Sequence, residues 1–433
     1  MVVLRQSIGG EQSTSTVRVA ALWRGITCAS AALMLAASAT HAVSQEKPQP
    51  PQPPTATTIA TPLVVAPAPP ATSAPAGGDK PAEKLADKPA ENLPEKPKSI
   101  ALILPISSKS LGKAAEAARA GFLAGAAQST KTPFEARLYL ADDEAGSLAS
   151  LYRKAMTDGA VAVVAGLTRD GATVVAREAG YLPTLALNTP ADLAKADANN
   201  FFHLSLNVDW DARVAARAAS DEGFRSVAIV HSNAALARRI QDAFEKEWLK
   251  LGGVVATRIA FSGDLNDGPK VKAAMEKPDA ARADVAFIAA DMAVARFVRP
   301  FLPQGMPVFA TAQTFDPRAG ALENLDLDSV KYPEMPWFVE RDHPAVMTYA
   351  RPLEEMPAEY ERLYALGIDA WRIIFALVSP PSPTAVARSN AKQPFAPIDG
   401  VTGRITLDGN QFLRGLPIVE MRDGKPQVTK SVE

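Results

Sequence analysis

The sequence predicts an α/β protein of two doubly wound parallel-sheet lobes facing each other across a cleft, preceded by a long stretch that carries no core. Three observations lead there. From Ser99 onward, short apolar runs alternate with Ala-rich amphipathic stretches, the order of successive βαβ units. The alternation restarts after Phe201-Phe-His-Leu204 with a second set of similar length. The chain then closes on a helix, Leu363-Tyr-Ala-Leu-Gly-Ile-Asp-Ala-Trp-Arg372, whose Leu363, Leu366, Ala370 and Ile373 share a face. A Gly-bounded strand follows, Ile398-Asp-Gly-Val-Thr-Gly-Arg-Ile-Thr-Leu-Asp408, running into an Asp408-Gly409 turn.

The first run, Ser99-Ile-Ala-Leu-Ile-Leu104, is apolar on both faces, as a strand inside a covered parallel sheet must be, and Pro105 stops it. A helix over 114–127, a strand over 135–140, the acidic loop Ala141-Asp-Asp-Glu144 and a helix over 147–158 come next. A strand over 160–165, a helix over 171–180 and a strand over 184–187 complete the first set. The second set has helices over 210–222, 234–251, 269–277 and 292–301. Its strands are expected over 226–230, 254–261, 285–289 and 307–310. The first lobe is expected to hold about 99–206 plus 340–380, and the second about 207–310 plus 381–433.

Residues 1–98 read differently. Arg18 and Arg24 precede an apolar run from Ile26 to Ala39, followed by the small residues Thr40-His41-Ala42. Positive flank, short apolar stretch and small-residue site are the order of a secretory signal, so 1–42 is expected to be cleaved and the protein to reach the periplasm. The run has 14 residues, against roughly 20 for a spanning helix. The single cysteine, Cys28, stands before most of this run rather than closing it, so it does not sit as a lipid-anchor cysteine should. Many of the 36 prolines crowd into 43–98, which has no aromatic residue. Such a stretch cannot bury enough surface to offset its ordering entropy, and a disordered, partly polyproline linker is expected.

Carboxyl ends of parallel strands share one edge of each lobe, so the cleft should be lined by residues just past each strand. In the first half these are Ser107, the acids Asp142 and Asp143, Thr168, Asn188 and Thr189. In the second they are His231, Asp291, Thr311 and Gln313. Hydroxyls, amides and helix N-termini gathered there suit a carboxylate or another small polar ligand. The same residue types cap the helices that follow, and both readings stand for each.

Several classes of function lack support in the sequence. With a net charge of −1 and no basic block, nucleic acid is not expected as a partner. The four histidines lack the close pairing of a metal-binding helix, and a chain cleaved after residue 42 keeps no cysteine, so no metal or cofactor is expected. Neither a Gly-x-Ser-x-Gly elbow, a phosphate-binding Gly-rich loop nor a His-Glu-x-x-His pair occurs, so nothing points to an enzyme. Trp371 is expected to pack under its lobe, Asp369 to cap or pair, and Met335-Pro-Trp337 to be an extended segment with a buried aromatic. The triplet Asp142-Asp-Glu144 is expected to be a solvated helix start.

The segment Ile100-Ala-Leu-Ile-Leu-Pro-Ile106, the turn Gly166-Leu-Thr168 and the run Leu185-Ala-Leu-Asn188 resemble a type I periplasmic-binding-protein domain, the fold of branched-chain amino acid receptors. Three segments resemble more narrowly the penicillin-binding protein activators of the LppC-type lipoprotein family. They are Phe309-Ala-Thr-Ala-Gln-Thr314, then Leu327-Asp-Ser-Val-Lys-Tyr-Pro-Glu-Met-Pro-Trp337, then Gly367-Ile-Asp-Ala-Trp371. The resemblance implies two lobes joined by hinge crossovers. It also implies a non-enzymatic envelope regulator, peripheral to the membrane or cell wall, that contacts a class A penicillin-binding protein and promotes peptidoglycan synthesis. The broader likeness keeps open a receptor that delivers an amino-acid-like solute to an ATP-driven transporter. Such a receptor needs an acid for the ammonium and donors for the carboxylate, roles for which Asp291 and Thr168 are candidates.

Overall fold

A computed structural model describes residues 98–129, 133–192, 200–262, 264–352, 356–379 and 395–431. The expected signal segment, Cys28 and the proline-rich linker up to residue 97 lie outside them. The linker's expected last residue, Lys98, already belongs to a strand.

In the first half, β1 (Lys98–Leu104), α1 (Gly112–Gln128), β2 (Phe134–Leu140), α2 (Glu144–Thr157), β3 (Ala160–Ala165), α3 (Arg169–Glu178), β4 (Thr184–Ala186) and β5 (Phe201–Leu204) follow one another. The second half has α4 (Val208–Asp221), β6 (Ser226–Ser232), α5 (Ala235–Lys250), β7 (Val254–Phe261), α6 (Gly268–Met275), β8 (Val285–Ala289), α7 (Met292–Val298), β9 (Val308–Phe309) and β10 (Val330–Pro333). Short helices α8 (Pro336–Val339) and α9 (Pro344–Met347) lead to the long α10 (Ala358–Val378). Strands β11 (Ile398–Asp399), β12 (Arg404–Asp408), β13 (Gln411–Gly415), β14 (Ile418–Arg422) and β15 (Lys425–Lys430) end the chain.

These strands form two sheets. The first runs β2-β1-β3-β4-β5-β13-β12-β11 and the second β7-β6-β8-β9-β10-β14-β15. In each, the first five strands are parallel and wind in the same order, with the direction of winding reversing beside the opening strand. Antiparallel strands close both sheets. Successive side chains of β1 go to opposite faces. Ile100, Leu102 and Leu104 pack with α1 and α10, while Ala101 and Ile103 pack with α2 and α3. The second sheet is covered likewise, by α6 and α7 on one face and by α4 and α5 on the other.

Several expectations need correction. Phe201 to Leu204 is β5, a strand of the first sheet, and not a mere boundary. β10 has no period to betray it, being four residues that end in proline. The helix expected over 292–301 ends at Val298 and tightens into a 3-10 turn, because Pro300 has no N–H to continue the ladder. The closing segment was expected wholly in the second lobe, yet β11, β12 and β13 run in the first sheet and only β14 and β15 in the second. The chain therefore passes between sheets three times: after Leu204, between Pro333 and α10, and at Leu416-Pro417.

Helix α10 lies against α1 at backbone contact. A Cβ on Gly121 would stand 1.8 Å from the Tyr364 carbonyl oxygen, and one on Gly367 would stand 2.1 Å from that of Ala118. Trp371, 1% exposed, meets Phe122 edge to face at 5.2 Å, and its Nε1 donates to the Ser129 hydroxyl at 2.9 Å.

His203 sits inside the first sheet, 4% exposed, and burial pushes its imidazole pKa down from 6.5 to about 4. Between those values the unfolded chain takes up a proton that the folded one refuses. Stability is thus full above pH 6.5 and falls as pH drops toward 4. Relative to His203→Gln, the protein is expected to lose up to about 3 kcal/mol across that window. Urea titrations of both proteins at several pH values check this; parallel pH profiles would show that His203 does not stay neutral.

Candidate functional site

At the carboxyl edge of the first sheet the decisive side chain is Glu144. It opens α2 beside Asp143, whose carboxylate caps that helix by accepting from the Gly146 N–H at 3.2 Å. Glu144 turns away from solvent, 3% exposed, and its carboxylate accepts from the backbone N–H of Leu167, the N–H of Thr168 at 2.8 Å and the Thr168 hydroxyl. Burial raises its pKa, opposed by those donors. The expectation of a solvated acidic triplet therefore fails at Glu144, because the loop after β3 offers convergent donors that only the folded chain brings near.

Thr168 is fully engaged. Its hydroxyl donates to Glu144 and accepts from the Gly171 N–H at 3.0 Å, capping α3. Asn188 braces the same loop, donating to the Leu167 carbonyl at 2.9 Å and accepting from the Thr189 N–H at 2.9 Å. The Thr189 and Ser205 hydroxyls are bonded at 3.0 Å. Ser107 is exposed in the turn after β1. Thus Thr168, Asn188 and Thr189 are drawn together around one loop, and Ser107 stands apart from their bonds.

His231, Asp291, Thr311 and Gln313 belong to the other sheet. His231 lies within β6 rather than after it, half-buried, with Nδ1 3.1 Å from the Ser232 carbonyl oxygen. Asp291 is exposed and caps α7, accepting from the Val294 N–H at 3.0 Å. Gln313 is half-buried in the 3-10 turn Ala312–Thr314. The Thr311 and Ser232 hydroxyls are buried with no hydrogen-bond partner among the described residues. Helix capping accounts for Thr168 and Asp291, and two orphaned hydroxyls mark the second edge. Among the described residues no cluster of His, Cys, Asp or Glu could hold a metal ion, and no helix is long and apolar enough to cross a membrane.

A second polar constellation, which sequence reasoning missed apart from Asp369, binds the three crossovers. Arg362 of α10 pairs with Glu334, just past β10, through two bonds of 2.5 and 2.6 Å. Burial alone would lower the Arg362 pKa, but the Glu334 carboxylate holds it above the ordinary value. Arg414 of β13 bonds Asp211 of α4 at 3.0 Å and also donates to the carbonyls of Ser205 and Thr402. Burial raises the Asp211 pKa, against the pull of Arg414. These charges are isolated from one another in sequence, and no local pattern signals their pairing.

The two closing motifs meet here as well. Asp369 is fully buried and accepts from the N–H groups of Val401 and Thr402 at 3.1 and 2.7 Å and from the Thr402 hydroxyl at 2.7 Å. Trp337 is buried as expected, but in the helical turn α8 rather than in an extended segment. Its backbone N–H donates to the Val401 carbonyl at 3.0 Å and its Nε1 to Glu361 at 2.9 Å. Both aromatic motifs are thus structural.

Two doubly wound lobes joined by three crossovers define a type I periplasmic-binding-protein domain. The chain belongs to the family described as LppC putative lipoprotein, whose profile matches residues 90–267 and 268–424. Curated relatives include the penicillin-binding protein activator LpoA of Enterobacter sp. (strain 638), 25% identical over 277 residues covering 55% of this chain and 38% of the relative. Another is LpoA of Escherichia coli (strain K12), 23% identical over 278 residues, covering 55% and 41%. The chain spans about two fifths of the length of these relatives. Among solved structures, the C-domain of Haemophilus influenzae LpoA, described as a regulator of PBP1A, superimposes with a TM-score of 0.61 at 17% identity, covering 77% of this chain and all of that one. A putative branched-chain amino acid ABC transporter protein from Chromobacterium violaceum gives 0.61 at 34% identity, covering 75% of this chain and all of that one.

Proposed function

We propose that this protein is a non-enzymatic regulator of the cell envelope that activates a class A penicillin-binding protein through its surface and so promotes peptidoglycan synthesis. The names of its curated relatives support the partner class. The observation that carries the reading against a receptor is the carboxylate of Glu144. It takes the donors of Leu167 and Thr168 in the loop that leads into α3, at the strand edge where a ligand carboxylate would be held. In this reading the protein acts in the periplasm, peripheral to membrane or wall, after removal of residues 1–42.

A receptor for an amino-acid-like solute is the second reading, favoured by the orphaned hydroxyls of Thr311 and Ser232 at the other lobe's edge. One pair of measurements separates the two. A ligand that binds the native state raises its melting temperature with concentration. The regulator reading expects no shift across the common amino acids, together with capture of a class A synthase and faster glycan polymerisation in the reconstituted pair. A saturable shift with one amino acid and no captured synthase would reverse the assignment.

A further inference from the structure

The three crossovers share an apolar core of their own. Leu206 comes from the first, Met335 and Trp337 from the second and Leu416 from the third, and they pack in one cluster with Val214 of α4 and Ile368 of α10. Helix α4 covers the second sheet and α10 the first, so both lobes bury the segments that join them. A hinge that opens and closes absorbs its rotation in a few residues free to change φ and ψ. Close packing takes that freedom away. The crossovers are also bonded to one another. The Glu334 N–H donates to the Pro417 carbonyl at 3.2 Å, which ties the second crossover to the third. Arg414 donates to the Ser205 carbonyl at the first crossover at 3.2 Å, and its own carbonyl accepts from the Trp210 indole at 2.7 Å. Pro417 fixes one φ within the third.

Two ion pairs then reach from one lobe to the other. Glu334, 1% exposed, leads out of β10 in the second sheet and is forked by Arg362 of α10 on the first. Arg414, 3% exposed, lies in β13 of the first sheet and holds Asp211 of α4 on the second at 3.0 Å. The pairs lie close together, since the Asp211 carboxyl feels Glu334 and Arg362 as well as Arg414. Rotating one lobe on the other would draw each carboxylate away from its guanidinium. Separating a buried pair leaves two uncompensated charges, so it opposes rotation even where the pair adds little to net stability.

We propose that the pairs Glu334–Arg362 and Asp211–Arg414, set in this crossover core, latch the two lobes at one fixed angle, so that the domain works as a rigid body and not as a clamp that closes on a ligand. A partner that touches both lobes then meets one preformed surface, with no closing motion to be ordered on binding. The inference concerns the mechanics of the domain and holds whether or not that partner is a peptidoglycan synthase.

The distance between two spin labels tests it. The labels go on Asp142→Cys and Asn233→Cys, exposed positions past β2 and β6 at the carboxyl edges of the two sheets. The whole chain is used, with its single cysteine replaced as Cys28→Ser. The otherwise native protein is expected to give one narrow distance distribution, the same alone and with a saturating mixture of the common amino acids. E334M/R362M removes both charges of one pair and leaves neither unpaired, so it should fold. Its distribution is expected to be about twofold wider, as for lobes released to rotate. D211N keeps the size of the side chain and should widen the distribution less. E245M/R258M removes an ion pair within the second lobe, away from the crossovers, and should leave it unchanged. A broad or two-peaked distribution in the native protein, a shift with amino acids, or no widening in E334M/R362M would overturn the proposal. Equal widening in E245M/R258M would overturn it too, by showing a general loosening. Should E334M/R362M fail to fold, an unchanged distribution in D211N overturns it instead.

Discussion

Asp369→Ala is expected to lower the stability of the folded domain by about 3–5 kcal/mol, the cost of removing one partner from a buried charged pair. The carboxylate has no exposure and accepts from two backbone N–H groups, the Thr402 hydroxyl and, at 3.2 Å, Arg372. Truncation strands those donors. Each buried group left without a partner costs about 1–3 kcal/mol, while Arg372, 24% exposed, can turn to water. Asp369→Asn should fall between, since it keeps one acceptor oxygen but sets an amide against donors. Urea unfolding followed by tryptophan fluorescence reads the effect as a lower midpoint with unchanged slope. A loss below about 1 kcal/mol would show that the 400–402 loop holds its place without this carboxylate.

Asp369 also shows where sequence reasoning reaches and where it stops. The apolar runs of β1, β3, β6 and β8 announce a covered parallel sheet because each is buried on both faces, and their bounds fall within a few residues of expectation. β10 and β5 are not legible, because four residues hold too little pattern to tell a strand from a loop. The lobe that the closing strands join is hidden for a different reason. A β-hairpin reveals its own pairing but not the sheet it joins, and β13 joins β5 through residues about 200 positions away.

The site was legible to a similar depth. Strand ends identify which residues can line an edge, and local pattern identifies caps, so the sequence leaves both roles open for Thr168 and Asp291. Nothing in Ala141-Asp-Asp-Glu144 tells that the third acid, and not its neighbours, will find Leu167 and Thr168. Long-range partners of charged side chains are set by the fold, which is why the partners of Glu144, Asp211, Glu334, Arg362 and Arg414 emerge only from the structure. That the polar groups nearest the crossovers pair with each other leaves less chemistry there for a ligand.

Gly121→Ala gives the second large effect, and its sign separates two principles. Gly121 lies in the middle of α1, where helix propensity alone predicts that alanine would stabilise by about 1 kcal/mol. The added methyl, however, would stand 1.8 Å from the Tyr364 carbonyl oxygen and 2.6 Å from its carbon, both backbone atoms of α10 that cannot swing aside. The helices must separate, and separation opens the contacts of Phe122, Leu366, Ala370 and Trp371 that lie between them and the first sheet. Overpacking of a closed core costs typically about 1–3 kcal/mol, and a rigid backbone on both sides places this site at the upper end. A net loss of about 3 kcal/mol is expected, with Gly121→Val failing to fold. Gly180→Ala is the matched control, exposed and with nothing within 4 Å of the new methyl, and should change stability by less than about 0.5 kcal/mol. Calorimetric melting of the two alanine variants decides between the principles. A stabilised Gly121→Ala would mean that α1 and α10 do not approach at their backbones, and Trp371 would then lose its place against Phe122 and Ser129.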